Sequence, residues 1–106
     1  MVSTSPSTRS RSVGAGHRER ARIVKALAHP TRLFLVEELS KGPRCVCELT
    51  ALVGDDISTV SRHLAVLRNA GIVDNELRGA QVFYALRTPC ILEFFACIEA
   101  VLRPGG

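Results

Sequence analysis

Apolar residues recur with helical spacing through most of this chain, alternate in two short runs near its middle, then return to helical spacing. Arg18 to Ala28 carries Ile23 and Leu27 one turn apart, and His29-Pro30 ends that helix while placing a proline where the next can begin. Thr31 to Ser40, dense in Leu33, Phe34, Leu35, Val36 and Leu39, predicts a largely buried second helix that Lys41-Gly42-Pro43 stops. A short helix follows from about Cys45 to Val53. Gly54-Asp55 then turns the chain, Asp56 is placed to cap, and a further helix runs from Ile57 to Ala70 before Gly71. Two helices around so short a turn make a helix-turn-helix. Ile72 to Arg78 and Gln81 to Leu86 alternate as strands, and Gly79-Ala80 between them suits a type II′ hairpin turn, which would make the pair a wing. Pro89 opens the last helix, whose Ile91, Phe94, Phe95, Ile98, Val101 and Leu102 form a wide apolar stripe. The expected fold is mainly α with a small β-hairpin, a winged helix-turn-helix.

At about 100° per residue, Ile57, Val60, Leu64 and Leu67 of the second motif helix share one side and are expected inward. Ser58, Thr59, Arg62, Ala65, Val66 and Asn69 lie opposite. Small hydroxyl side chains near the helix start and one guanidinium suit a major groove, where Arg reads guanine and Ser or Thr reaches bases or phosphates. An ordinary solvated face would carry more Glu and Lys. Ser61 and His63 flank this face, where phosphate contact or packing is expected, and Arg78 on the wing could reach a neighbouring phosphate or minor groove.

The chain has 106 residues, of which 46% are hydrophobic and 23% charged, enough for one compact domain and too few for a second. A net charge of +4 favours an anionic partner without identifying it. Residues 1–16, rich in Ser, Arg and Gly, have no apolar run of signal-peptide length and are expected to form a disordered basic arm, with the domain proper over 17–104. Glu93 and Glu99 interrupt the last apolar stretch, so no membrane span is expected, and the protein is placed in the cytoplasm. In a reducing compartment the four cysteines are metal ligands, redox sensors or buried apolar groups rather than structural disulfides. There is no C-x-x-C, no Gly-rich phosphate loop and no Cys/His/Asp set, so an enzyme is not expected.

Cys45-Val46-Cys47 carries the chemistry. In a regular helix two residues at this spacing point roughly 200° apart, so one ion can be shared only if Cys45 lies at a frayed first turn. The positive helix end there favours thiolate. Cys90 and Cys97, seven residues apart, share a face of the last helix beside its apolar stripe. They serve either interface packing or ligation.

Cys45-Val46-Cys47-Glu48-Leu49, then Ser58-Thr59-Val60-Ser61-Arg62-His63-Leu64 with Leu67-Arg68-Asn69-Ala70-Gly71, then Arg78-Gly79 and Val82-Phe83-Tyr84, together resemble the ArsR/SmtB family of metal-responsive repressors, in its arsenic-type form. Ala28-His29-Pro30-Thr31-Arg32 is similar to the family's junction, and the likeness spans about His17 to Leu102. It implies a homodimer, joined through the first and last helices, that sits on an inverted-repeat operator in double-stranded DNA and leaves when a metal or metalloid binds. The arsenic-type box often has a third cysteine where this chain has Thr50, so a third sulfur would come from Cys90 or Cys97, of the same or the partner subunit. No cysteine precedes Cys45 to supply the cadmium- and lead-type arm, leaving only His17, and the last helix lacks the histidine of the family's zinc site. Plentiful sulfur and scarce harder ligands favour As(III) or Sb(III) as inducer, with Cd(II) or Pb(II) as the alternative and no permanent cofactor. A thiol-redox or persulfide-sensing repressor would use the same DNA module.

Overall fold

Local chemistry sets each boundary in the computed structural model, which describes residues 12–103 and Gly105. Helix α1 (Ala15–Leu27) starts a turn sooner than Arg18, because the Gly14 N–H donates to His17 Nδ1 at 3.2 Å and steadies the first turn. Of the expected arm over 1–16, residues 1–11 lie outside the described residues, and Ala15 and Gly16 belong to α1. Helix α2 (Pro30–Leu39) has Pro30 in its first turn and His29 as cap, whose Nδ1 accepts from the Thr31 N–H at 3.1 Å. Strand β1 (Arg44–Cys45) leads directly into α3 (Val46–Val53). Helix α4 (Ile57–Asn69) begins at Asp56, whose Oδ1 accepts from the Thr59 N–H at 2.8 Å.

The far end of α4 closes with two reverse bonds: Gly71 N–H donates to Arg68 O at 2.9 Å and Ile72 N–H to Leu67 O at 3.0 Å. Gly71 takes a φ of 85°, which this Schellman closure requires and a side chain would resist. The chain is thereby aimed into β2 (Val73–Arg78), which pairs antiparallel with β3 (Gln81–Leu86) around Gly79 at φ 63°, the sign that a primed hairpin turn demands. Helix α5 (Ile91–Leu102) completes the chain.

The sheet has three strands in the order β1-β3-β2, one more than the hairpin expected from sequence. β1 pairs Arg44 with Tyr84 and Cys45 with Phe83. Its face carrying Val82, Tyr84 and Leu86 packs on the core, where Leu35, Val36 and Leu39 of α2, Leu49 of α3 and Val60, Leu64 and Leu67 of α4 are buried. Each such side chain contributes roughly 1.5–3 kcal/mol by leaving water. Two expectations fail here. Ile57 is 57% exposed, because the first turn of α4 projects past the elements that cover Val60. Val66 turns from the outward face toward α1, where it lines a cleft with Arg22, Lys25 and Ala26.

α5 contributes no fully buried residue. Ile91, Leu92 and Phe95 rest on the core, while Phe94, Ile98 and Val101 are 40%, 39% and 76% exposed. Ile23, Val24 and Leu27 of α1 continue this surface across an apolar cleft shared with Ile91 and Phe94. A contiguous apolar face of this kind is unusual on a lone domain.

Candidate nucleic-acid interface and thiol site

Val60, Leu64 and Leu67 fix α4 on the core and so fix which side chains it presents. Ser58 and Arg62 are exposed, and Thr59 and Ser61 are half-buried beside them. The Ser58 hydroxyl donates to Asp56 Oδ1 at 3.0 Å, so it belongs to the cap in this state and offers its oxygen outward as acceptor. Three hydrogen bonds from Thr59 and Ser58 hold the Asp56 carboxyl below its ordinary pKa of 3.8, with a smaller contribution from Arg62. The cap therefore stays ionised at neutral pH. Asn69 sits at the other end, beside α1, where its backbone oxygen accepts from Arg22 Nη1 at 3.5 Å. Arg22 and Lys25 of α1 thus line a cleft with Asn69, a grouping that sequence reasoning missed although Arg18, Arg22 and Lys25 recur at helical spacing.

His63 faces the α1–α2 junction, with its ring 4.3 Å from that of His29 and tilted 45° to it. Burial pushes its pKa below the ordinary 6.5, and His29, Arg32 and Arg62 push the same way against a smaller opposing pull from Asp55. At this place the imidazole is half-buried and packs against His29. On the wing, the Arg78 guanidinium carbon lies 4.6 Å from the centre of the Phe83 ring, and Nη2 is 3.3 Å from Glu76 Oε1. A cation held on an aromatic face is pre-positioned rather than free to sweep solvent. Neither partner of Arg78 was identified from sequence, although Glu76 and Arg78 share a strand face opposite Phe83.

Cys45 and Cys47 depart from the expectation of ligands, sensors or buried groups rather than disulfides, because a non-helical Cys45 brings the two sulfurs within bonding reach. Cys45 is the N-cap of α3, extended at φ −77° and ψ 159°, and not its first helical residue. That departure from helical geometry turns its sulfur toward Cys47, and the two form a disulfide with a Cα–Cα separation of 5.4 Å. Cys45 Sγ accepts from the Glu48 N–H at 3.4 Å, and the Cys45 N–H donates to Glu48 Oε1 at 3.2 Å. This is a capping box built on sulfur. Cys45 is buried and Cys47 exposed.

Residues 29–75 match the model of the arsR family of bacterial regulatory proteins. The HTH-type transcriptional regulator YgaV of Escherichia coli is 30% identical over 91 residues, which cover 85% of this chain and 92% of that protein. The chain belongs to the ArsR family. As a member of that family it is a DNA-binding regulator and not an enzyme. The biofilm growth-associated repressor of Agrobacterium fabrum is 46% identical over 68 residues, 64% of this ArsR-family chain, which spans 58% of that protein's length. The homodimeric winged helix-turn-helix DNA-binding domain of Mb0332 from Mycobacterium bovis superposes with a TM-score of 0.74 at 25% identity, covering 99% of this chain and 93% of that one.

Within this ArsR-family chain, α4 is the recognition helix and β2–β3 the wing. Among the described residues, no three His, Cys, Asp or Glu side chains are grouped so as to hold a metal ion, and no helix is long and apolar enough to cross a membrane. Cys45 and Cys47 are brought together, while Cys90, at the N-terminus of α5, and Cys97, inside it, are free and exposed. A third sulfur supplied from α5 of the same subunit is therefore not assembled, and His17 is engaged in capping α1.

Proposed function

We propose that this chain is a cytoplasmic transcriptional repressor whose homodimer holds an inverted-repeat operator and lets go when a thiophilic ion, As(III) or Sb(III), binds Cys45 and Cys47. The observation that carries this reading is the meeting of two sulfurs on the cap of α3, the first helix of the helix-turn-helix. Reduced, the pair offers two thiols to one soft ion, with Cys90 or Cys97 of a second subunit as the third. Both cysteines are exposed on the helix whose apolar face lacks a cover, which supports a partner approaching there. Pairing through α5 and α1 would bury that face and set two recognition helices roughly 34–36 Å apart, one DNA turn. Ser58, Thr59, Ser61, Arg62 and Asn69 would then meet the groove, Arg78 the flanking backbone, and His63 would brace α4 from behind.

Release has a local cause. A sulfur that bonds an ion competes with its own role as acceptor for the Glu48 N–H, so the cap of α3 weakens as the site fills. Leu49 packs α3 into the core that also carries α4, and the recognition helix shifts with it.

The test adds arsenite to the reduced protein and counts protected thiols in wild type and in Cys45→Ser, Cys47→Ser, Cys90→Ser and Cys97→Ser, alongside release from operator DNA. Protection that needs Cys45 and Cys47, accompanied by release, is the expected result. Cd(II) or Pb(II) becomes the inducer if only those ions act. The disulfide between the two residues favours a second reading, a thiol-redox repressor, which predicts release by oxidant and none by metal under strict reduction.

A further inference from the structure

We propose that Phe83 is a positioning residue that links the thiol pair to the wing, so that occupation of Cys45 changes how Arg78 is held. The proposal deepens the reading of Cys45 and Cys47 as the ligand site and rests on it. The antiparallel register puts Cys45 of β1, Phe83 of β3 and Glu76 of β2 in one row across the sheet. Directly opposed residues point to the same face, with Cβ atoms about 4.5–5.5 Å apart. The core side of β3 is Val82, Tyr84 and Leu86, so the Phe83 ring lies on the other face and is not part of the buried cluster. On that face it has the buried Cys45 on one flank, and Arg78 rests on its ring at 4.6 Å while bonding Glu76 at 3.3 Å. The ring therefore stands in the row between Cys45 and the Arg78 guanidinium. A change in the bulk or direction of Cys45 Sγ moves the ring, and the guanidinium seated on it loses its fixed orientation.

The experiment uses the full reduced chain and phenylarsine oxide, a trivalent arsenical that takes two thiols. Two S–H bonds and the As–O bond are exchanged for two As–S bonds, and the oxygen leaves with both protons as water. Capture is read by intact mass, and Arg78 by the ring-current shift of its side-chain NMR signals. Phe83→Leu should abolish that shift and Phe83→Tyr should retain it, which identifies the stack independently of folding. On capture, the Arg78 signals should move in wild type and in Phe83→Tyr, and stay still in Phe83→Leu and Cys45→Ser. Capture with unmoved Arg78 signals in wild type overturns the link. If the reagent is not captured, the ligand reading fails instead, and the link is decided by the same signals in disulfide and dithiol protein. That interconversion uses a phosphine, which reduces the S–S bond to two thiols and leaves as its oxide with the oxygen of one water. Arg78 signals identical in those two states would likewise overturn the link.

Discussion

Cys45 has two roles in this structure and Cys47 has one, and substitution separates them. Cys45→Ala removes both the buried sulfur and the acceptor for the Glu48 N–H. Loss of an N-cap acceptor costs about 1 kcal/mol, and deleting a buried group of this size adds on the order of 1 kcal/mol. Together, roughly 2 kcal/mol lowers the melting temperature of a domain this small by about 8–16 °C. Cys47 is exposed in the first turn of α3, so Cys47→Ala should change stability by no more than about 0.5 kcal/mol. Cys45→Ser keeps an oxygen where the cap needs one and should melt much closer to wild type than Cys45→Ala does. All three should lose two-thiol capture of an arsenical equally. The assay is thermal unfolding followed by circular dichroism in excess reductant, paired with intact mass after arsenical treatment. Equal melting losses for Cys45→Ala and Cys47→Ala would refute the capping role, and with it the proposed route from ligand binding to α3.

Three further outcomes are expected. Arg62→Ala should weaken binding to an operator selected from random duplexes by about 1–3 kcal/mol if the residue reads a base, whereas a uniform loss on all sequences with a flatter salt dependence would make it a phosphate contact. Phe94→Glu places a charge on the uncovered apolar face and should give a folded monomer by sedimentation, with operator binding lost; a persisting dimer would place the interface elsewhere. The lowered pKa of His63 means that the unfolded chain takes up its proton first, so its contribution to stability is complete above the ordinary 6.5 and is lost as pH falls from there toward the folded value. His63→Gln should therefore reduce the fall in urea midpoint between about pH 7.5 and 5.5; an unchanged fall would assign that pH dependence to other groups.

Much of the scaffold was legible because its signals are local. Asp56, the 3.6-residue recurrence of Val60, Leu64 and Leu67, and Gly71 define α4 within a residue of where it lies. The same recurrence misplaced Ile57, since periodicity gives a direction around a helix but not whether another element covers that turn. β1 was illegible for a different reason: two residues cannot show alternation, and their strand character comes from partners 38 to 40 residues away, Cys45 with Phe83 and Arg44 with Tyr84. Of the site, the helix was expected to begin at about Cys45, and a non-helical Cys45 followed only on the condition that it shares a ligand with Cys47; it lies one residue outside the helix, as its N-cap. The contact of His63 with His29 and the seat of Arg78 on Phe83 depend on packing between elements and left no periodic trace in the chain.

The proposed switch draws on the weakness of α3. Eight residues are too few for a helix to persist on propensity, so α3 exists because its ends are capped and Leu49 is buried. Its N-terminal cap is a reactive sulfur, where serine or aspartate would cap as well and react with nothing. At its other end, Gly54 closes the helix in the left-handed conformation and leads within three residues to α4. On the proposed reading, ligand chemistry at Cys45 would act on the least self-sufficient helix of the motif, and that helix is packed against the one bearing Ser58, Thr59 and Arg62. A thiol pair placed on α2, whose three buried side chains anchor it independently, would bind the same ion with far less leverage over the DNA-facing surface.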